Sequence, residues 1–315
     1  MQLPTLSPES DTIPAAPRPD RIRRVRLFAV SVAVLAVAFA MPLYRWAAFV
    51  LGHDLYSYAI LMPGGCAYLV WQQWRALGAR INSSGHVWGV LTAVVGGGLF
   101  AAWCMSPNAA PSSDRYQDQL ALSTAAFVFL VVAAGFMVLG KSFVRAAAIP
   151  ALLLACMVPL PVAAEQAMES MLQHASAPLA QFLFAAVGTP VLREGMVIHL
   201  PGFSLQVAPE CSGSHSTVVL FLTTLFAGQL FFRRPWNRAL LALTVLPIAL
   251  LRNAVRILVI GELCVHVGPE MIDSPIHHRG GPIFFVLSLL PVFLLVFFLR
   301  RRENRAPAAS APAAS

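Results

Sequence analysis

Cys211 lies in the stretch APECSGSHSTVVL (208–220), directly ahead of an apolar run. A thiol just before a helix N-terminus meets unpaired N–H groups and the positive end of the helix dipole, and both favour the thiolate. Ser212, Gly213 and Ser214 suit a helix start, while the neighbouring Glu210 opposes the thiolate. His215 follows four residues after Cys211, a spacing that shares one face if both are helical. Far along the chain, LLRNAVRILVIGEL carries Arg252, Asn253 and Arg256, with the two arginines one helical turn apart. SPIHHRGGPIFF carries His277 and His278. A thiol, a guanidinium and an imidazole are the parts of cysteine-based acyl transfer: attack on a carbonyl, oxyanion stabilisation and proton movement. Each part also has a plainer use. Cys211 could form a disulfide with Cys264, the arginines could pair with Glu165 or Glu262, and loop histidines are usually solvated.

The elements that must position these residues are apolar. The chain has 315 residues, 58% of them hydrophobic and 11% charged, against about 25% charged in soluble domains. Apolar runs cover 27–44, 56–74, 87–105, 120–139, 146–163, 216–232, 239–260 and 282–299. Each is long enough to cross a hydrocarbon core of about 30 Å. The expected fold is therefore an all-α polytopic membrane protein with about eight transmembrane helices. Sixteen lysines and arginines fall on one set of alternate connections and four (Arg45, Arg115, Arg193 and Arg279) on the other. Basic residues gather on the cytoplasmic side, so both termini are expected inside. The net charge of +8 then reflects topology and implies no nucleic-acid partner. Residues 1–20 and 303–315 are read as disordered cytoplasmic ends, and 21–302 as one membrane-embedded domain. The five cysteines show no CxxC and no zinc-like spacing, so no metal or cofactor is expected. Cys66, Cys104 and Cys156 fall in or at the ends of apolar spans and are expected to be inert.

The long segment 164–215 reads as two parts. Met168, Met171, Leu172, Ala175, Leu179, Phe182, Leu183 and Ala186 recur at helical spacing, with Glu165, Gln166, Glu169, Gln173 and Gln181 elsewhere on the wheel. This predicts an outer amphipathic helix, bent or broken near Pro178. MVIHL and FSLQV flank Pro201-Gly202, and Phe203, Leu205 and Val207 alternate with Ser204 and Gln206. They predict a small β-hairpin that delivers the chain to Cys211.

At several points the sequence resembles the exosortase/archaeosortase family of membrane transpeptidases. LYSYAILMPGGCAYLVWQQWRAL is similar to an early family helix, with Tyr58-Ala59 where His-Gly is common. IPALLLACMVPLP resembles the Pro-rich fifth helix, and GTPVLREGMVIHLPGFSLQVAPECSG the lead-in to the nucleophile. NAVRI matches an Asn-x-x-Arg motif, and HHRGG places His277 and Gly281 in a His-x-x-x-Gly motif. The resemblance implies Cys211, Arg256 and His277 as catalytic residues, with Asn253, Arg252, Glu210, Ser212, Gly213, His215 and Gly281 supporting or binding substrate. Archaeal members carry arginine where His277 stands, so the bacterial branch is implied. Position 252 is usually uncharged in the family, which leaves Arg252 without an assigned role. The implied activity is cleavage of C-terminal sorting tails of exported proteins at the outer face of the cytoplasmic membrane. Such a tail has a Pro-Glu-Pro-like motif, an apolar helix and a basic end. The acyl group would pass to an acceptor nucleophile that the sequence does not identify. Two other readings compete: a transporter whose arginines bind an anion, and a non-catalytic assembly factor for exopolysaccharide export.

Overall fold

The computed structural model describes residues 19–82, 84–107, 109–207, 213–268, 270–271 and 281–305. The protein is an all-α polytopic membrane protein with one small sheet. Its helices are α1 (Pro19–Ala38), α2 (Ala40–Gly52), α3 (Met62–Gln72), α4 (Trp74–Gly78), α5 (His86–Met105), α6 (Asp114–Val138), α7 (Lys141–Ala146), α8 (Ala148–Ala155) and α9 (Val162–Val187). After the strands β1 (Leu192–Glu194), β2 (Val197–Leu200) and β3 (Phe203–Gln206) come α10 (Ser214–Phe231), α11 (Pro235–Leu243), α12 (Val245–His266) and α13 (Gly281–Arg305).

Among the described residues, five helical stretches are long and apolar enough to cross a membrane: α5, α6, α10, α11 with α12, and α13. The count becomes six if α1 and α2, bent by 75°, form one broken span. Hydropathy reads as about eight spans, and proline is the physical reason that several of them are segmented here. Proline has no N–H for the carbonyl four residues back, and its ring crowds that carbonyl. Helices break at Phe39, Ala147 and Thr244, each three residues before a proline (Pro42, Pro150 and Pro247). Ahead of Pro63 the chain runs as a 3-10 helix, Asp54–Leu61, before α3 begins. The expected spans 27–44, 56–74, 146–163 and 239–260 are thus segmented. The helices α9 and α13 pass through Pro178 and Pro291 without interruption, so of the bend or break expected near Pro178 the break does not occur.

The chain divides into two compact units. One holds residues up to Trp46, 62–108 and 122–158. In it α3 packs on α8, and Leu77, Leu139, Phe143 and Ala147 form a buried cluster. Arg24 donates to the carbonyls of Asn82 and Val138, and Trp46 Nε1 donates to the carbonyl of Met157 at 2.9 Å. The expected inert cysteines Cys66 and Cys156 are half-buried, whereas Cys104 is exposed on α5.

The second unit holds 47–61, 109–121 and the chain from Pro159 onward. Here α9 packs along α12, α10 packs on α11, α12 and α13, and the sheet closes over the α9–α12 pair through Ile198, Leu200, Leu205 and Val207. The predicted hairpin is present as β2 and β3, paired antiparallel with His199 opposite Ser204. Ile198, Leu200, Leu205 and Val207 point inward. A third strand, β1, adds to its edge.

The apolar stripe of α9 is divided between core and surface, with Leu179 and Leu183 packed against the core. The buried residues of the helix are Leu172, Ser176, Ala177, Ala180 and Phe184, while Met171, Ala175, Phe182 and Ala186 from the apolar stripe are exposed. Small residues here let the backbones approach closely. Gly261 on α12 completes this contact: a Cβ there would run into the Phe184 ring and lie 3.0 Å from Leu200 Cδ1. We expect Gly261→Ala to destabilise the fold by about 1–3 kcal/mol, the usual cost of overpacking a filled core. Thermal unfolding in detergent measures it, and an unchanged midpoint would mean that Phe184 swings aside freely.

Candidate functional site

The first helical residue of α10 is Ser214, and Gly213 caps the helix in the left-handed region at φ 68°. Glycine meets that dihedral without the penalty a Cβ brings. Arg252 lies directly against it. Its Nη2 donates to the Gly213 carbonyl at 2.9 Å and to Thr217 Oγ1 at 3.2 Å, and Thr217 Oγ1 donates to the same carbonyl at 2.8 Å. A Cβ on Gly213 would sit 2.7 Å from Arg252 Nη2 and 3.4 Å from Asn253 Oδ1. Glycine at 213 is therefore required twice, by its dihedral and by the guanidinium over it. We expect Gly213→Ala to lower stability by about 1–2 kcal/mol from the dihedral alone, with a further loss from the collision. Combining it with Arg252→Ala should recover the collision part only, a departure from additivity that a thermal-unfolding cycle reads.

Neighbouring polar residues tie three helices together at this point. Asn253 Nδ2 donates to Ser176 Oγ at 2.9 Å, and Ser176 Oγ donates to the Leu172 carbonyl. Ser214 Oγ donates to Glu169 Oε1 at 3.3 Å, and Gln173 Nε2 to the Val207 carbonyl at 3.4 Å. Glu165, one turn before Glu169, accepts from the Tyr56 hydroxyl at 2.7 Å and from Gln117, which also donates to the Leu160 carbonyl at 2.9 Å. The polar residues of α9 at positions 165, 169 and 173 thus line the side that meets the rest of the unit. Their four-residue spacing was the signal in the sequence.

Of the residues singled out from sequence, the structure brings together Gly213, Arg252 and Asn253. Arg256 follows one turn later on α12, half-buried, and Gly281 opens α13. Glu210, Cys211, Ser212, His277 and His278 lie outside the described residues. His215 is the second residue of α10. The helix-face relation expected between His215 and Cys211 falls on a residue outside the described ones. The plainer partners proposed for the arginines are engaged elsewhere: Glu165 as above, and Glu262 with Thr189 and His266. Cys264 is a free, buried thiol, so no disulfide joins it to Cys211. The helix α12 continues six residues past its expected end at 260, which seats Arg252 about 21 Å from its last residue at 1.5 Å per residue.

A guanidinium in an apolar membrane helix carries an insertion cost of up to about 2.5–3.5 kcal/mol. Its two contacts at Gly213 and Thr217 offset part of that and fix the start of α10 against α12. The arrangement presents donors and an acceptor around the helix start that the chain reaches directly after Cys211. Among the described residues no cluster of metal-ligating side chains occurs. Searches of curated proteins and of solved structures returned no match. A family model described as transmembrane exosortase matches residues 46–294, a stretch that contains every residue named in this site. The chain belongs to the transmembrane exosortase family.

Proposed function

We propose that the chain is a cysteine transpeptidase that cleaves C-terminal sorting tails of exported proteins at the outer face of the cytoplasmic membrane. The observation that carries this reading is the contact of Arg252 with Gly213. It holds the arginine-bearing helix α12 against the start of α10, two residues after Cys211 in the sequence. In the proposed reaction the Cys211 thiolate attacks a peptide carbonyl of the tail. The tetrahedral oxyanion takes its hydrogen bonds from Arg256. The C–N bond then breaks, and His277 gives the departing amine its proton. The acyl group remains on Cys211 as a thioester. An acceptor nucleophile, deprotonated by His277, releases it.

The positive-inside distribution supports cytoplasmic termini and an outward-facing site. Exported proteins bearing the tripartite tail are the proposed partners. The test is co-expression with a reporter ending in a Pro-Glu-Pro motif, an apolar helix and arginines. The reporter should run shorter on a gel when the chain is present, and reporters lacking the motif should keep full length. Uniformly full-length reporters of all kinds would count against the reading.

A further inference from the structure

Arg252 and Asn253 are adjacent on α12 and are 8% and 2% exposed. Arg252 uses Nη2 for Gly213 and Thr217, but its Nη1 has no hydrogen-bond partner among the described residues. Asn253 uses Nδ2 for Ser176, and its Oδ1 has no partner among the described residues either. The amide cannot turn over. Ser176 Oγ spends its proton on the Leu172 carbonyl, so it must accept from Nδ2, and Oδ1 is fixed on the opposite side. That side faces Gly213, since a Cβ there would lie 3.4 Å from Oδ1. A buried donor or acceptor left unpaired costs about 1–3 kcal/mol. A site with one of each, side by side, matches the N–H and C=O of a peptide main chain. An isolated carboxylate would satisfy the arginine and leave the asparagine oxygen facing a like charge.

We propose that Arg252 and Asn253 form a main-chain clamp: Asn253 Oδ1 accepts an N–H, and Arg252 Nη1 donates to a C=O, of an extended peptide lying across the start of α10. The proposal rests on the peptide-substrate reading above and gives it a binding subsite that holds the main chain whatever the side chains. Both residues act in binding and position the peptide for the reacting groups.

The test uses binding rather than turnover, with the full chain carrying Cys211→Ala in detergent. The probe is a labelled synthetic peptide with a Pro-Glu-Pro motif, an apolar helix and an arginine end. In a series of variants each motif amide is replaced in turn by an ester, which deletes one N–H. One ester position should bind about tenfold more weakly, the scale of one lost buried hydrogen bond. The penalty should vanish when Asn253→Ala is added. Ser176→Ala frees the Asn253 amide to turn, so it should shrink the penalty at that same position and raise none elsewhere. A scan with no position-specific penalty overturns the clamp even if Asn253→Ala fails to fold. So does a penalty that Asn253→Ala leaves in place, as it would if Oδ1 held only a buried water. Absence of any binding by the all-amide peptide overturns it too. Tight, ester-sensitive binding by a chain that cuts nothing would keep the clamp and reject the transpeptidase.

Discussion

Cys211→Ser is expected to leave the tailed reporter full length, a fall of at least about 10³-fold in processing. Serine is nearly isosteric, so abundance and membrane insertion should match the wild type. What changes is the nucleophile. A thiol near a helix N-terminus ionises at accessible pH and attacks as thiolate, whereas a serine hydroxyl needs a matched general base to be useful. Removing the attacking atom of a covalent mechanism costs more than any single supporting contact. The competing readings give the opposite result. A transporter with anion-binding arginines, or a scaffold for polysaccharide export, tolerates serine. The reporter is read by mass on a gel, with chain abundance measured in the same membranes.

Arg256→Ala is expected to cost about 10²–10³ in kcat, the range for deleting one oxyanion donor. Arg252, one turn away, does not replace it: its Nη2 is committed to Gly213 and Thr217, and its Nη1 is assigned to the substrate main chain. Arg256→Lys should recover part of the loss, since the charge returns while the planar fork does not. A mainly structural role for Arg256 would give a different pattern. Both variants would then lower the unfolding temperature together, and activity would follow folded protein. Kinetics with purified chain and synthetic tail separate the two, because an oxyanion donor moves kcat while the fold stays intact.

Much of the architecture was legible in the sequence for reasons that can be named. The hairpin showed itself because Phe203, Leu205 and Val207 alternate with polar residues around a Pro-Gly turn, and burial follows that alternation. The start of α10 showed itself in the run of small residues before an apolar stretch, and Gly213 caps it. The breaks at Phe39, Ala147 and Thr244 were missed because hydropathy windows average across Pro42, Pro150 and Pro247. Their carbonyl-crowding rings marked the sites all along. The stripe of α9 did not tell which of its residues pack inward: Leu172 is buried together with Ser176, Ala177 and Ala180, while Met171 and Phe182 are exposed.

Pairwise contacts in the site were less legible. Arg252 and Asn253 were identified from sequence as two polar residues on an apolar helix. Their partners, Gly213 at 39 residues' separation and Ser176 at 77, follow only from how α9, α10 and α12 pack. The same holds for Glu169, whose contact with Ser214 no local spacing announces. Arg252 shows the gap most clearly. As a departure from the family pattern it had no role, and the structure places its guanidinium on the residue that caps α10.

The most direct test of the central claim is the mass of the Cys211 peptide after purified wild-type chain is mixed with a synthetic tail in the absence of acceptor. The account predicts an added mass equal to the acyl side of the tail, on Cys211 alone, lost on treatment with hydroxylamine as a thioester should be. An unmodified Cys211 while the tail is being cut, or an adduct on another residue, would contradict it.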